Sequence, residues 1–312
     1  MPFIVGTNAH IERVYNLYWE AFEQFRSVPV ITNLEENEHF CQLVRRLLKS
    51  HLVVIPQLAW GMAESHQFMS MPEVDRFMIE TIKSRIGRRV LAEQHLALSE
   101  SWEAHQSDHD LGRWIGILDT ACTASKTVKK CAAKATSFVR ESTGLEPPEV
   151  IINGRVQAEF LYIPDHIEYV LYELIKNSMQ ATIKRHSDGS GDPPPIVVTI
   201  GEWQSSIMFR VSDQGGGIEK SIRDSVFSIA LGAERNLSNF GHMPQLAAKM
   251  NERVPISLGL SMAMSKIYAN YWGGDIHLTT MDGFGTDVYV SLSVGNQTEN
   301  LKAPQDPSEL LK

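Results

Sequence analysis

Two glycine-containing segments in the second half of the sequence could bind a ligand through backbone groups. The run Asp213–Gly217, Asp-Gln-Gly-Gly-Gly, directly follows an apolar stretch that is predicted to be a strand. A tight turn needs only one or two glycines, so three after an acid favour a backbone that approaches a ligand closely. Gly259-Leu260 precedes a predicted helix, whose first N–H groups and dipole favour a phosphate. The chemistry indicated is binding of a phosphate-bearing ligand, with plain tight turns as the alternative.

Two further segments carry polar residues at regular spacing. Tyr169, Glu173 and Asn177 recur every four residues, so they share one face of a predicted helix, with Gln180 close by. A carboxylate one turn from an amide is also typical of a solvated helix surface, and spacing alone does not separate the two interpretations. Gly283–Asp287, Gly-Phe-Gly-Thr-Asp, leads into the last predicted strand. Each segment is a weak motif by itself.

The order of the four segments is more specific than any one of them. Glu-x-x-x-Asn on a helix, Asp-x-Gly-x-Gly after a strand, Gly-Leu opening a helix and Gly-Thr before a strand resemble the four boxes of the GHKL ATPases. That superfamily includes gyrase B, Hsp90, MutL and the histidine kinases. The sequence has neither a P-loop nor the HRD, DFG and APE motifs of eukaryotic protein kinases. If the protein uses ATP, these boxes are the candidate site.

Longer stretches narrow the resemblance to one family. Residues 172–182, 212–218 and 266–271 resemble the mitochondrial protein kinases, that is, the pyruvate dehydrogenase kinases and the branched-chain 2-oxoacid dehydrogenase kinase. In the first half, residues 51–61 and 84–95 look like the helical bundle of that family. The resemblance runs from about residue 10 to residue 293, an extent that the histidine kinases or Hsp90 would not show.

The resemblance implies a role for each matching residue. Glu173 would be the general base that takes the proton from a substrate serine hydroxyl, and Asn177 would hold a Mg²⁺ that bridges the ATP phosphates. Asp213 would accept the adenine amino proton. The remaining ATP contacts would come from Gln180, Gly215, Gly217, Gly259, Leu260 and Thr286. ATP and Mg²⁺ are the expected cofactors, and the family resemblance adds K⁺.

Three basic residues of the first half match the family's pocket for inhibitory 2-oxoacids. They are His51, Arg85 and Arg89, and two arginines four apart on one helix could fork a carboxylate. The alternative is that the arginines pair with acids on a helical surface. A phospho-histidine role for His51 is not expected, because the family has no such relay. Arg88 stands where the family often has an apolar residue.

The family's function is an ATP-dependent serine protein kinase activity. Such a kinase phosphorylates and inactivates the decarboxylase component of a mitochondrial 2-oxoacid dehydrogenase complex, with pyruvate dehydrogenase favoured here. The resemblance implies docking to the lipoyl domain of the acyltransferase, a homodimer and the mitochondrial matrix, although the chain shows no transit peptide. Alternatives are a catalytically weak nucleotide-binding regulator and a docking module of the same complex. The Glu173/Asn177 pair argues against both, since a scaffold needs neither residue.

The sequence departs from the family in three places. Tyr169 stands where pyruvate-type members have a histidine one turn before the base. The glycine-rich lid motif is reduced to Pro-Ile-Ser-Leu-Gly-Leu at residues 255–260, so a lid between residues 230 and 258 is expected to be truncated or to follow a different path. The Asp-Trp tail motif that crosses the dimer is absent from residues 295–312.

Helical periodicity covers the first half of the sequence. Apolar residues recur at three- and four-residue steps in Ile11–Phe25, Phe40–Met62, Pro72–Leu98 and Leu111–Arg140, with an interruption predicted near Pro56 as a kink or the end of a turn. These segments predict a four-helix bundle over residues 1–142, acting as a regulatory and docking domain.

Alternating strands and helices follow a proline-containing linker, Thr143–Pro148. Residues 149–295 predict an α/β sandwich with a largely antiparallel sheet, which in the GHKL superfamily is the Bergerat-type ATP-binding domain. Its long helix should span Asp165–His186, with Asp165 as the cap, and its closing strands Asp275–Thr280 and Thr286–Ser293. His277, Thr279, Val288 and Val290 alternate along these strands and could pair two sheets in a dimer, or simply cover the domain's own helices. Residues 296–312 would be a tail.

Composition excludes several classes of protein. The net charge of −8 gives no basic excess for binding a nucleic-acid backbone. Three cysteines in 312 residues make no disulfide framework. The longest apolar stretch, Leu52–Ala63, is too short to span a bilayer.

Overall fold

The computed structural model describes residues 2–104, 113–187, 192–203, 206–235 and 259–293. The chain divides into two compact units, each built from two stretches of sequence. The helical unit comprises Met1–Ile117 and Ser225–Met264, and the α/β unit comprises Leu118–Asp224 and Ser265–Lys312. A helical first part followed by an α/β domain is the predicted fold class, which is confirmed at this level.

The described part of the helical unit contains four helices longer than two turns that pack in pairs. Helix α2 packs on α4, and α3 packs on α5. Asn8 and Asn33 cap α2 and α3, because their side chains accept the backbone N–H groups of His10 and Glu36. The elements of this first stretch are α1 (Phe3–Gly6), α2 (Ala9–Arg26), α3 (Leu34–Ser50), α4 (Val54–Glu64), α5 (Met71–Ala104), strand β1 (Trp114–Ile115), and 3₁₀ turns at His51–Val53 and His66–Phe68.

The predicted second segment is two helices rather than one kinked helix. The break is the 3₁₀ turn His51–Val53, and Pro56 lies in the first turn of α4. The first N–H groups of a helix have no intrahelical acceptor, so proline costs no hydrogen bond there. The interruption predicted near Pro56 is therefore a helix end rather than a kink, and it lies about one turn before the proline.

The predicted fourth bundle segment belongs to the α/β unit. Residues Leu118–Thr123 form strand β2, and only Ala124–Thr143 is helical (α6). β2 pairs antiparallel with β4 (Glu159–Tyr162), with Cys122 opposite Phe160. The chain therefore divides after Ile117 rather than after residue 142. Since β2 finds its partner about 40 residues later, its identity depends on a contact that local periodicity does not show.

The α/β unit is a layer of helices on one face of a five-stranded sheet. The strand order is β3-β5-β6-β8-β7, with β3 and β5 parallel and the other pairs antiparallel. The largely antiparallel sheet is as predicted. Its elements are β3 (Val150–Gly154), α7 (Pro164–His186), β5 (Ile196–Trp203), β6 (Ser206–Asp213), α8 (Lys220–Arg223), β7 (Asp275–Met281) and β8 (Gly285–Ser293).

Alternation along the strands decides which side chains form the core. Phe209, Val211, Val288 and Val290 are buried, whereas Met208 and His277 are exposed. Val288 and Val290 are 5% and 0% exposed, so they are core residues, which agrees with the alternative that they cover the domain's own helices and not with pairing of two sheets. His277 and Thr279 remain on an exposed face of β7.

The second stretch of the helical unit contributes a short helix, α9 (Ile229–Arg235). It packs on α4 and α5, and the Asp75 carboxylate accepts the backbone N–H of Ala230 at 2.8 Å. Helix α10 (Ser261–Tyr271) begins in this stretch and continues into the α/β unit. In the described part of the chain, no helix combines the length and the apolar character that a membrane crossing requires.

Helix α7 begins without the predicted cap. Ile163 is the N-cap residue and makes no side-chain capping bond, while Pro164 and Asp165 are the first two helical residues. Proline fits this position because its missing N–H would have no acceptor. Asp165 therefore contributes its charge to the first turn instead of capping it.

Candidate functional site

Asp213 is a polar group of the α/β unit with three hydrogen-bonded partners. Its Oδ1 accepts the backbone N–H groups of Gly215 at 2.9 Å and Thr286 at 3.2 Å, and its Oδ2 accepts the Ser178 hydroxyl at 2.9 Å. The carboxylate is nearly buried. Burial raises its pKa above the ordinary value of 3.8, and these hydrogen bonds offset part of the rise. The end of β6, the start of β8 and helix α7 thus meet at one carboxylate.

The glycines after Asp213 have a structural explanation within the protein. A Cβ on Gly215 would lie 2.6 Å from the Cβ of Ala181 on α7, so only glycine fits between β6 and the helix. Gly217 has φ +81° and its Cα faces the Met281 carbonyl, so a side chain would be both strained and obstructed. The glycine run therefore lets the turn pack against its own unit. Its use by a ligand stays a prediction.

Glu173 is a buried carboxylate with a buried partner. It is 3% exposed, and its Oε2 lies 2.6 Å from the Lys176 ammonium, which is also buried. The Lys176 ammonium also lies over the rings of Phe138 and Tyr172. A carboxylate this deep in a protein needs such a counter-charge. The alternative of an ordinary solvated helix face does not describe Glu173.

Tyr169, which replaces the family's histidine, packs against a second tyrosine. Its ring lies 5.1 Å from that of Tyr268 on α10. Burial, the charge of Glu173 and Tyr268 raise the pKa of Tyr169 well above 10, so the phenol is protonated at neutral pH. Unlike histidine, this group cannot exchange a proton with Glu173 near neutrality.

Asn177 and Gln180 complete the predicted set on α7. Asn177 is half-buried one turn from Glu173, next to the Asp213-bound Ser178, and Gln180 is exposed. Among the described residues, no three His, Cys, Asp or Glu side chains are grouped as metal ligands. Mg²⁺ usually takes one or two protein oxygens and completes its shell with phosphates and water, so a single Asn177 amide oxygen suits it.

The structure brings most, but not all, predicted nucleotide residues together. Asp213, Gly215 and Thr286 are joined by hydrogen bonds, and Glu173, Asn177 and Gln180 lie on the helix that reaches them through Ser178. Gly259 and Leu260 fall in the second stretch of the helical unit, where the Leu260 carbonyl accepts the Met264 N–H at the start of α10. Of the altered lid predicted between residues 230 and 258, residues 230–235 belong to α9 and residues 236–258 lie outside the described residues, as does the tail at 296–312.

A cavity of about 390 Å³ adjoins Asp213 and Thr286. Its other walls include Val197, Arg210 and Ser212, which alternate along β5 and β6 with the residues that face the helices. The cavity therefore opens on the sheet face away from α7. It is separate from the side of the sheet on which Ser178 contacts Asp213.

Two residues of this site were not predicted. They are Ser178, which binds Asp213, and Lys176, which pairs with Glu173. Both lie inside the stretch 172–182 that carries the family resemblance. The sequence did offer a signal for them: both are polar residues on the face of α7 that carries its buried apolar stripe. A buried polar side chain requires a partner, so each could have been expected to have one.

The helical unit contains a second site, a cavity of about 400 Å³. His51 from the turn after α3 and Arg85 and Arg89 from α5 all line it, so the structure brings the three predicted residues together. The Arg89 guanidinium lies 2.7 Å from the Glu93 carboxylate, which is the acid pairing considered as the alternative. Burial first, then the charges of Arg85 and Arg88, lower the pKa of His51, whose Nδ1 lies 2.7 Å from the Leu47 carbonyl.

Comparisons with known proteins agree with both units. Residues 1–119 match the family described as mitochondrial branched-chain alpha-ketoacid dehydrogenase kinase. Residues 162–296 match the histidine kinase-, DNA gyrase B- and HSP90-like ATPases. The first match ends close to the boundary after Ile117, and the second covers α7 and the four strands from β5 to β8.

Curated relatives are similar along almost the whole chain. The mitochondrial pyruvate dehydrogenase (acetyl-transferring) kinase 2 of Saccharomyces cerevisiae is 27% identical over 98% of this chain and 74% of its own length. The mitochondrial pyruvate dehydrogenase (acetyl-transferring) kinase of Arabidopsis thaliana is 28% identical over 96% of this chain and 81% of its own length. The pyruvate dehydrogenase (acetyl-transferring) kinase of Drosophila melanogaster is 28% identical over 94% of this chain and 72% of its own length. The chain therefore belongs to the mitochondrial protein kinases, the family of the pyruvate and branched-chain 2-oxoacid dehydrogenase kinases within the GHKL ATPase superfamily.

Proposed function

We propose that this protein is an active serine kinase that phosphorylates and inactivates the decarboxylase component of a mitochondrial 2-oxoacid dehydrogenase complex. The observation that carries the proposal is the buried Glu173–Lys176 pair on the same helix as Ser178, which binds Asp213. A buried carboxylate costs stability, so a protein that only docks would gain nothing from it. Pyruvate dehydrogenase is favoured as the substrate because the relatives are named for it.

Asp213 is proposed to read the adenine base. An ionised carboxylate has about four acceptor positions, and Asp213 uses three of them for Gly215, Thr286 and Ser178. One position on Oδ2 is left for the adenine amino group. Gln180, Gly215, Gly217, Gly259, Leu260 and Thr286 are proposed as the further nucleotide contacts.

Asn177 is proposed to hold Mg²⁺ through its amide oxygen, with ATP phosphates and water as the other ligands. The metal would neutralise charge on the transferring phosphate, which is its general contribution to phosphoryl transfer. K⁺ is a further ion that the family resemblance adds. The protein's part is to position the phosphates and the serine hydroxyl relative to Glu173.

Glu173 is proposed to take the proton from the substrate serine hydroxyl. The Lys176 ammonium at 2.6 Å holds the carboxylate in place on α7 and supplies its counter-charge. Tyr169, protonated at neutral pH, packs beside it on Tyr268 and cannot share this proton. The base therefore works without the histidine that pyruvate-type members place one turn earlier.

Transfer of labelled phosphate tests the activity directly. The full chain is incubated with γ-labelled ATP and kinase-free pyruvate or branched-chain dehydrogenase complex, with Glu173→Gln as the inactive reference and Glu141→Gln, at an exposed position, as the matched control. Labelled decarboxylase serine with wild type and Glu141→Gln, but not with Glu173→Gln, supports the proposal. ATP binding without transfer would instead indicate a regulator, which the loss of the first two lid glycines in the stretch 255–260 favours. Complex binding without ATP binding would indicate a docking module.

The remaining proposals concern assembly and control. The protein is proposed to dock on the lipoyl domain of the acyltransferase, to form a homodimer and to work in the mitochondrial matrix, which extends the mitochondrial names of its relatives. The cavity with His51, Arg85 and Arg89 is proposed to bind a 2-oxoacid that regulates the kinase. Sedimentation with the isolated lipoyl domain checks the docking proposal.

A further inference from the structure

Two residues of opposite charge lie on neighbouring strands, on the sheet face away from α7. Arg210 is on β6, opposite Tyr289 of β8. Asp287 is on β8, two residues before Tyr289 and opposite Ser212. Diagonal positions of this kind are about 7 to 8 Å apart, within reach of long side chains. Arg210 and Asp287 both line the cavity of about 390 Å³ on this face.

Neither residue has a counter-ion in the part of the chain that the structure describes. The Arg210 guanidinium makes no ion pair there, and its Nε is buried without a hydrogen-bond acceptor. Asp287 pairs with no cation there, and it accepts the hydroxyl groups of Ser212 at Oδ1 and Tyr289 at Oδ2. About two of the roughly four acceptor positions of this carboxylate are therefore left. A buried N–H without an acceptor lowers stability, so a ligand that supplies the acceptor gains this free energy on binding.

The wall beside these charges is apolar. Met281 and Phe284 are 67% and 56% exposed, and both line the cavity together with Val197. Large apolar side chains at the edge of a cavity that contains a few polar groups are typical of a site for a small organic molecule. The cavity thus offers donors for a carboxylate, acceptors for an ammonium group and a surface for an apolar group.

We propose that this cavity binds a free α-amino acid with an apolar side chain. Its carboxylate accepts N–H groups of Arg210, its ammonium group donates to Asp287, and its side chain packs on Met281 and Phe284. A carboxylate without an ammonium group would leave Asp287 unpaired, and an amine without a carboxylate would leave Arg210 unpaired. The inference goes beyond the proposed function, in which neither charged residue has a role.

Three related probes separate the two charges of the ligand. L-Leucine carries both charges, L-leucinamide carries only the positive one, and 4-methylpentanoate has the leucine skeleton without the amino group. At about pH 6.5 the amino groups of the first two are protonated. In calorimetry with the nucleotide-free full chain at low salt, we expect leucine to bind roughly tenfold or more tightly than either of the other probes, because each of them lacks one charge-assisted hydrogen bond.

Two substitutions assign each charge of the ligand to its residue. Arg210→Gln should lower the affinity for leucine to that for leucinamide, and Asp287→Asn should lower it to that for 4-methylpentanoate. Arg223→Gln and Asp192→Asn remove the same charges at exposed positions of the α/β unit outside the cavity, so these matched controls should keep both preferences. Binding that remains in the double variant of Arg210 and Asp287 belongs to another site and is subtracted.

The comparison of probes on wild type needs no variant, so it decides the matter even if a substitution prevents folding. Leucine affinity no higher than that of either other probe overturns the inference, and so does a preference that survives the matching substitution. If a side chain of a second copy of the chain occupied the cavity instead, leucine would not bind and Arg210→Gln would lower the mass in light scattering, which also overturns it. The assay contains neither nucleotide nor dehydrogenase, so an inactive protein with both preferences would remove the proposed kinase activity alone.

Discussion

The Ser178 hydroxyl donates a 2.9 Å hydrogen bond to the Asp213 carboxylate, and both side chains are buried. This bond ties α7, which carries Glu173 and Asn177, to the end of β6. Base recognition and catalysis would therefore share one rigid connection within the α/β unit. The first two predictions concern Asp213, the acceptor of this hydrogen bond.

Asp213→Ala should remove ATP and ADP binding. The substitution deletes the acceptor proposed for the adenine amino group and the one used by Thr286 and Gly215. We expect affinity to fall at least 100-fold in calorimetry while circular dichroism remains native. Asp192→Ala, at an exposed position, is the control. Unchanged affinity in Asp213→Ala would remove the site assignment.

In the ligand-free protein, ionisation of Asp213 should lower the free energy of unfolding as the pH rises. Burial raises its pKa above 3.8, so the folded state binds the proton more tightly than the unfolded state does. Its contribution to stability is full below pH 3.8 and is lost as the pH rises through the folded-state pKa. Asp213→Asn cannot ionise, so its free energy of unfolding should rise relative to wild type between pH 4 and 7. Urea unfolding at several pH values measures this, and parallel curves for the two proteins would contradict it.

Glu173→Gln should separate binding from chemistry. Glutamine keeps the side chain's size but cannot accept the serine proton, so phosphorylation should fall by roughly 10²–10⁴-fold, the usual contribution of a general base. ATP affinity should stay nearly constant, since the proposed adenine contacts are on β6 and β8. Kinetics with a saturating dehydrogenase substrate measures the loss. Activity equal to that of Glu141→Gln would exclude Glu173 as the base.

A 2-oxoacid or its halogenated mimic should couple to ADP. Coupling requires different ligand affinities in two conformations, and reciprocity demands that each ligand change the other's affinity by the same factor. Arg85→Ala and Arg89→Ala should each abolish the effect, whereas Arg76→Ala should keep it. Calorimetry with and without ADP measures both affinities. If ADP does not change the affinity for the 2-oxoacid, the pocket binds the acid but is not coupled to the nucleotide, and the prediction is wrong.

Dimerisation should be visible in solution and should depend on the exposed face of β7. Light scattering at micromolar protein should give about twice the chain mass of 35.0 kDa. Thr279→Lys places a charge on the exposed face that also carries His277 and should lower the mass, whereas Glu141→Lys should not. Val288 and Val290 are unsuitable for this test, because a charge there would be buried in the core. A mass near 35 kDa for wild type would refute the dimer.

The α/β unit was predictable in detail because its signals are local. The apolar strand predicted before the glycine run is β6, and the predicted closing strands match β7 and β8 within one residue. Alternation, the glycines after Asp213 and the Asp282-Gly283 turn fix these boundaries. Alternation left two interpretations open for Val288 and Val290, because it shows that two faces exist but does not say which one the helices cover.

Features that depend on distant partners were not predictable. A helix that covers a sheet has the same apolar period as a bundle helix, so the segment Leu111–Arg140, which contains most of α6, was predicted to belong to the bundle. The roles of Lys176 and Ser178 became visible only when their buried partners Glu173 and Asp213 were located. The pocket residues His51, Arg85 and Arg89 were found by resemblance alone.

Helix α9 has a consequence for the order in which the protein can be made. It belongs to the helical unit but is encoded more than 100 residues after that unit's first stretch ends at Ile117. When α2 to α5 leave the ribosome, the surfaces of α4 and α5 that α9 covers, and the carboxylate of Asp75 that binds Ala230, have no occupant from this chain. The helical unit is completed only after β2 to β6 have been synthesised. Neither unit is one contiguous stretch of sequence, and a cut between residues 117 and 118 would separate α9 from the rest of the helical unit, whereas both stretches of the α/β unit would stay on one piece.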